Sequence, residues 1–453
     1  MTWFTKLSAT WRTLIVGAAA IAVIGGAAFY WIVLGPGPLD FAGGTTVALA
    51  DYRGADPTGV PPQLAHASLI ERGAYLARAA DCAACHTAKG GKPFAGGLTF
   101  ILPFGTIYSA NITSDKGTGI GNWSDAAFLN AIHKGIDDEG KPLYPAMPYA
   151  SYTGMTDADA LAIKAYLFSL APVHNEVPQN KLSFPFNKRW LIGIWASMFD
   201  SDKRFAPNAD RTAQWNRGAY LAESLAHCGE CHTPRNLAFA LDHRNKFAGE
   251  IQAGWRAYNI TADKDSGVGA WSTADLTQYL SLGHADGRGT AAGPMGEAVD
   301  KSLKYLTPGD TAALVAYLQT VPAIAGDLPA PKATPAPVSH HDGVVADFDP
   351  RGEALFAGTC ASCHDWTGVS PIIRYATLTG ARAVNDPSAI NVAQIVLQGT
   401  VRDTPHGKVF MPAFGSAYSD SEIAALANYV TARFGAQPSR ITAQDVAKLR
   451  LKN

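Results

Sequence analysis

The sequence predicts an all-α protein: three tandem helical domains behind one N-terminal membrane-spanning helix. Three observations predict it. An uncharged apolar run opens the chain, one cysteine motif recurs three times together with its flanks, and a capped amphipathic helix closes each repeat. The bulk composition agrees. Of 453 residues, 47% are apolar and 17% charged, which suits several buried cores and argues against general disorder. The net charge is −1 and the basic residues form no long run, so there is no electrostatic footprint for nucleic acid.

The opening run, "LIVGAAAIAVIGGAAFYWIVL", extends from Leu14 to Leu34 without a charge. At about 1.5 Å per residue it is about 31 Å long, close to the thickness of a bilayer core. Lys6 and Arg12 precede it, which marks that side as cytoplasmic and exports everything after Leu34. Gly26-Ala27-Ala28 resembles a signal-peptide cleavage site. The run nevertheless continues through Phe29, Tyr30 and Trp31, where an interfacial aromatic belt belongs. The expectation is an uncleaved anchor over residues 1–35.

Six cysteines in an exported chain would ordinarily count as three disulfides. Their positions argue otherwise. Cys82/Cys85, Cys228/Cys231 and Cys360/Cys363 are pairs two residues apart, each followed at once by a histidine: His86, His232 and His364. This is C-x-x-C-H three times, the c-type haem attachment signature. On a helix, positions i, i+3 and i+4 share a face, so both sulfurs can bond the vinyl groups of one porphyrin while the imidazole reaches the iron. Structural zinc needs four ligands and usually pairs two such motifs, but these three lie far apart in the chain. A redox disulfide needs no trailing histidine.

The flanks repeat too. "RGAYLARAADCAACHT", "RGAYLAESLAHCGECHTPR" and "RGEALFAGTCASCHDW" lead into the three motifs from Arg72, Arg217 and Arg351. "NITSDKGTGIGNWS" at Asn111 echoes "NITADKDSGVGAWS" at Asn259. Each repeat closes on a helix with a Thr or Ser start signal, at Thr156, Thr307 and Ser419, and these helices carry Tyr166, Tyr317 and Tyr429 at matching places, where core packing suffices to explain them. The expected domains are 60–180, 205–324 and 344–440, with a connecting segment 181–204 and a Pro/Ala-rich linker 325–343. His340 and His341 read as solvated linker residues.

A haem iron takes a second axial ligand, and methionine opposite histidine raises its potential. Met147, Met295 and Met411 follow their histidines, each adjoining a proline and lying just ahead of the repeat's last helix. They are the expected sixth ligands, while Met155 and Met198 have no counterparts and read as packing residues. His133, His284 and His406 are secondary candidates as ligands or groups near propionates, and Arg235 as a propionate partner. "KLSFPFNKRWLIGIWASMF" (181–199) sets Lys188 and Arg189 beside an aromatic-rich apolar run, which reads either as a membrane-interface element where a lipid-borne quinone docks or as a packed inter-domain helix.

At these residues the chain resembles the triheme cytochrome c subunit of the membrane-bound periplasmic dehydrogenases of acetic acid bacteria and their relatives. "FAGGLTF", "GTIYSANIT", "GIGNW", "YPAMPY", "HCGECHTPRN" and "MPAF" carry the likeness together with the attachment motifs, over about residues 68–436. The resemblance implies three class I cytochrome c domains, three covalent haem c groups, and a bacterial inner-membrane protein with its haem domains in the periplasm. It also implies a large catalytic dehydrogenase subunit as electron donor and ubiquinone as acceptor. The alcohol dehydrogenase version resembles a cleaved precursor, so the retained-looking anchor points to a molybdopterin aldehyde dehydrogenase with a small iron–sulfur subunit. A PQQ alcohol dehydrogenase, or an FAD enzyme of sugars, polyols or gluconate, is the alternative donor. The chain has no Ser/His/Asp arrangement and no dinucleotide glycine fingerprint, so it is expected to be non-catalytic alone. A haem c subunit of a terminal oxidase and a free-standing membrane-anchored carrier are the rival readings.

Overall fold

The computed structural model describes residues 8–29, 35–336, 349–404 and 407–451. Lys6, Tyr30, Trp31, Leu34, His340, His341 and His406 lie outside the described residues. The first helix, α1 (Ala9–Phe29), has mean hydropathy 1.8, buries nothing, and is the one described helix long and apolar enough to cross a membrane.

The chain around the first motif forms α2 (Leu69–Ala79), α3 (Cys82–His86), the hairpin β1 (Thr99–Leu102) and β2 (Gly105–Tyr108), α4 (Asp125–Lys134), the single turn α5 (Tyr149–Tyr152) and α6 (Asp157–Ser169). The connecting segment holds β3 (Lys181–Leu182) and α7 (Arg189–Phe199). Around the second motif lie α8 (Ala213–Tyr220), α9 (Gly229–His232), β4 (Glu250–Gln252), β5 (Trp255–Ala257), α10 (Thr273–Leu282), β6 (His284–Ala285), β7 (Gly289–Thr290), α11 (Gly293–Lys301) and α12 (Pro308–Leu318). The third stretch has α13 (Pro350–Leu355), α14 (Ala361–His364), α15 (Ile390–Gln398), β8 (Thr400–Thr404), β9 (Gly407–Met411), α16 (Asp420–Phe434) and α17 (Ala443–Arg450).

The all-α expectation is corrected: the described residues include four small antiparallel sheets. β3 from the connecting segment completes a three-stranded sheet β1-β2-β3, and the other three sheets are two-stranded. The strands are too short for a helical-period reading to register them, and Gly105 at φ 136° turns the first hairpin back. The helices entering the second and third motifs also depart from a plain α pattern. Each passes through one π turn, at Leu221–Leu225 and Phe356–Cys360. The extra residue per turn rotates the attachment motif about the helix axis.

In all three stretches the first helix crosses the last at a glycine. A Cβ on Gly73 would stand 1.9 Å from the Ala162 carbonyl oxygen, one on Gly218 1.9 Å from that of Ala313, and one on Gly352 2.3 Å from that of Ala425. The recurrent "RG" is therefore a close-approach requirement. The last helices start on side-chain caps: Thr156, Thr307 and Ser419 accept the backbone N–H of Asp159, Asp310 and Glu422, each worth about 1 kcal/mol.

The cores divide differently from the repeats. One continuous core joins Leu76, Ile163 and Leu167 of the first stretch to Trp215, Leu221, Tyr317 and Leu318 of the second. A separate core holds Phe356, Val396, Leu426 and Phe434, and Val446 and Leu449 of α17 add to it beyond the expected end at residue 440. The first two stretches also exchange equivalent hydrogen bonds. Tyr75 Oη donates to Asp310 Oδ2 and Tyr220 Oη donates to Asp159 Oδ2, both at 2.6 Å. The stretch after α1 straps both together: the Gly59 amide donates to Asp159 Oδ2 of the first (2.8 Å), while Arg217 Nη1 of the second donates to the carbonyls of Pro57 and Gly59 (2.9 Å each).

Candidate functional site

α3, α9 and α14 present the three C-x-x-C-H motifs. All six thiols are free. Burial pushes the Cys82 and Cys228 thiols up to about 12, so both stand as neutral thiols. Among the described residues no three His, Cys, Asp or Glu side chains gather as a metal cage.

The histidines share one geometry. Nδ1 of His86 donates to the Ala110 carbonyl at 2.7 Å, that of His232 to Tyr258 at 2.6 Å, and that of His364 to Ala376 at 2.6 Å. A carbonyl can only accept, so the proton sits on Nδ1 and Nε2 keeps its lone pair, the arrangement of an imidazole held for a metal. Burial lowers the pKa of all three, more than the carbonyl raises it, and favours the neutral ligand form.

The repeated "NIT" explains the first two carbonyls. Asn111 Nδ2 donates to the Val173 carbonyl (2.8 Å) while its Oδ1 accepts the Thr113 amide (3.0 Å). Asn259 does the same with the Ile324 carbonyl (2.7 Å) and the Thr261 amide (2.8 Å). Each asparagine is buried and pins the loop whose preceding residue offers the carbonyl. The repeat is plain in the sequence, but its task emerges only from these bonds. The amides of Gly96 and Gly249 likewise satisfy the carbonyls of His86 and His232, both at 2.8 Å.

The expected methionines sit on three different supports. Met147 lies in the turn before α5, its amide bonded to the Tyr144 carbonyl at 3.1 Å. Met295 is in the first turn of α11, after Pro294, and Met411 ends β9, paired with Thr400. All three are partly buried, Met147 and Met295 against the first core and Met411 against the second. Met155 is fully buried in the first core, and Met198 is exposed on α7.

The secondary candidates separate. His133 is buried at the end of α4 with no partner for Nε2, and burial, ahead of Arg204, lowers its pKa to about 4. His284 has both ring nitrogens engaged, Nδ1 with Thr290 Oγ1 (2.8 Å) and Nε2 with Asp286 Oδ1 (2.9 Å). Arg235 pairs with Glu230 at 2.7 Å. Sequence reasoning missed Arg402, which reaches out of the third stretch into the second; a lone arginine in a strand carries no sequence signal.

The first two motifs are neighbours in space, since Cys85 feels Cys231. Helix α11, which carries Met295, packs against α3 on one side and β8 on the other. Glu297 on α11 faces Asp81, whose carboxyl is raised to about 8 by burial first and then by Glu297. The donor set fits a haem at each motif: two free thiols at i and i+3 and an imidazole at i+4 with its outer nitrogen already bonded.

Residues 70–171 match the cytochrome c family, and residues 349–430 match the family described as cytochrome c oxidase, cbb3-type, subunit III. The chain is 39% identical over 437 residues to the fructose dehydrogenase cytochrome subunit of Gluconobacter japonicus, covering 91% of this chain and 89% of that one. It is 37% identical over 408 residues to the gluconate 2-dehydrogenase cytochrome c subunit of Pantoea cypripedii, covering 85% and 90%. With one subunit of the nicotinate dehydrogenase of Pseudomonas putida the identity is 41% over 374 residues, covering 82% of this chain and 31% of that longer one.

Proposed function

Because the chain belongs to the family of cytochrome c subunits of dehydrogenase complexes, we propose that it carries three covalent c-type haems and relays electrons from a catalytic dehydrogenase subunit to ubiquinone. It does so at a bacterial inner membrane, with its haem domains in the periplasm. Cys82 with Cys85, Cys228 with Cys231, and Cys360 with Cys363 form the thioethers. His86, His232 and His364 supply one axial ligand, and Met147, Met295 and Met411 the other. A bound haem supplies the one-electron iron couple. The observation that carries this reading is the Nδ1–carbonyl bond made alike by all three motif histidines. A haemochromogen assay on the purified chain should return three haems; two or fewer would refute the count.

The α7 region supports a membrane-facing quinone side. No side chain of α7 is buried, and Trp190, Ile194 and Met198 are exposed on it. Trp195 Nε1 donates to the Ala238 carbonyl (2.7 Å), which seats α7 beside exposed Leu237 and Phe239. Phe104 stacks on Phe186 at 4.2 Å and meets Phe239 edge-on, adding exposed Phe184 and Ile101 to the same side. Gly35, near the end of the anchor segment, lies next to Arg244 of this loop. An exposed apolar surface beside Gly35 is what an interfacial reading calls for.

The donor is read as a sugar or sugar-acid dehydrogenase. Two relatives, matched along 89% and 90% of their own length, have names of that kind. The molybdopterin aldehyde dehydrogenase with its iron–sulfur subunit rests on the retained anchor alone and yields to this alternative. The oxidase likeness is confined to residues 349–430, so the oxidase reading yields too. Purification from solubilised membranes tests the choice. Co-purification with a large subunit that reduces the haems with fructose or gluconate is expected. Reduction by aldehyde alone, co-purifying oxidase subunits, or no partner would overturn it.

A further inference from the structure

Arg402 sits in β8 of the third stretch, in the hairpin that ends on Met411. Its side chain leaves that stretch and is only 2% exposed. Nη1 donates to the Gly296 carbonyl at 2.6 Å and reaches Asp300 Oδ2 at 3.3 Å; Nη2 donates to the Leu282 carbonyl at 3.3 Å. Gly296 directly follows Met295 on α11. The seat is shaped by glycine. A Cβ on Gly283, which caps α10 at φ +69°, would stand 1.9 Å from Nη2, and one on Gly296 3.3 Å from Nη1.

Resting on the reading that Met295 and Met411 are axial ligands, we infer that Arg402 is a positioning residue. It ties the helix carrying Met295 to the hairpin carrying Met411 and sets the ligation of the second and third irons together. One planar guanidinium holds a carbonyl beside one methionine while its backbone belongs to the two-stranded sheet that ends in the other. A buried arginine with one carboxylate and two carbonyls is rigidly placed, because any displacement leaves its charge unpaired. Lysine cannot replace it, since an ammonium lacks the fork that spans two elements. Met147 lies on neither α11 nor the β9 hairpin, so its own ligation is not held by Arg402.

The test uses the full chain with its haems, solubilised in detergent. The near-infrared charge-transfer band of methionine-ligated ferric haem is recorded first in the unmutated protein; its absence would refute the axial assignment itself. Given the band, Arg402→Gln is expected to weaken it and to lower two of three midpoint potentials while the third stays put. Methionine favours ferrous iron, and a tenfold loss of that preference reads as a shift of about 59 mV. Arg402→Lys should recover only part of it. Gly283→Ala disturbs the seat from the opposite wall without removing the charge, so it carries the test if Arg402→Gln does not accumulate, and the same two haems should move. Unchanged potentials, or a shift confined to one haem, would overturn the inference.

Discussion

The reciprocal tyrosines between the first two stretches allow a test of whether they are one folding unit. Tyr75→Phe and Tyr220→Phe each remove a hydroxyl that donates at 2.6 Å to a buried carboxylate. Burial first, and the facing aspartate second, raise both phenol pKa values, so each hydroxyl remains a donor across the physiological range. A hydrogen bond to a charged acceptor contributes about 1.5–3 kcal/mol. The two sites are not equal. Asp310 keeps the bidentate pair with Arg217, Nε at 2.8 Å and Nη2 at 2.6 Å. Asp159 keeps the Gly59 amide at 2.8 Å and, among the described residues, has no arginine partner. Tyr220→Phe therefore leaves the poorer-served carboxylate and belongs at the upper end of the range. With about 2–4 °C of melting temperature per kcal/mol at this size, the losses are about 3–12 °C, larger for Tyr220→Phe. Scanning calorimetry on the haem-loaded chain reads them. Because Tyr220 is part of the one continuous core and Tyr75 bonds across the same junction to Asp310, both variants should lower the same transition and leave that of residues 349–451 in place. If each tyrosine moves its own transition, the first two stretches fold independently and the shared core is refuted.

Three further outcomes rest on the same contacts. Gly352→Ala drives a Cβ to 2.3 Å from the Ala425 carbonyl; overpacking of this kind costs about 1–3 kcal/mol, and the thermogram should show it only in the third stretch's transition. His133 is neutral when folded down to about pH 4 but takes a proton below about 6.5 when unfolded. Stability from it is complete above pH 6.5 and is lost as the pH falls from 6.5 toward 4, by up to about 3 kcal/mol; denaturant melts of His133→Leu should lack that part of the acid slope, and an unchanged slope would exclude the residue. Met295→His should lower one haem's potential in a spectroelectrochemical titration, and unchanged potentials would remove Met295 from the ligand set.

The attachment helices and the caps were legible in the sequence because each depends on residues close together in the chain; the repeated "RG" was visible, but not that its glycine meets a distant carbonyl such as that of Ala162. Three neighbouring residues define a C-x-x-C-H motif, and Ser or Thr three residues before an acid signals a helix start. The hairpins were missed because strands of two to five residues carry too little alternation to stand out. The carbonyls of Ala110, Tyr258 and Ala376 were invisible because a backbone acceptor has no residue identity. Their trace was the asparagine that pins the loop, repeated at Asn111 and Asn259. The shared core could not be read at all: Tyr75 meets Asp310 across 235 positions of sequence, and the repeats suggest three separate bodies.

The two junctions between the stretches are built from different chemistry, and a relay gives a reason for the difference. The first junction is a fused apolar core edged by polar contacts, among them the reciprocal tyrosine–aspartate bonds, Ser151 with Glu230, and Asp81 facing Glu297, and such a core holds its parts at fixed separation. The second is polar. Arg256 and Asn391 exchange backbone and side-chain hydrogen bonds at 2.8 and 2.9 Å, Arg382 donates to the carbonyls of Asp265 and Gly267, and Gln394 to that of Gly254. Most of these bonds run from a side chain of one stretch to the backbone of the other, so they read the shape of the facing loop, and no single side-chain pair dominates. A polar surface of this kind can stay soluble while the third stretch folds around its own core and then docks. Docking through Arg382, Gln394 and Arg402 would bring the Met411 hairpin against α11 with its orientation already determined, which a fused apolar core achieves only by folding both partners together.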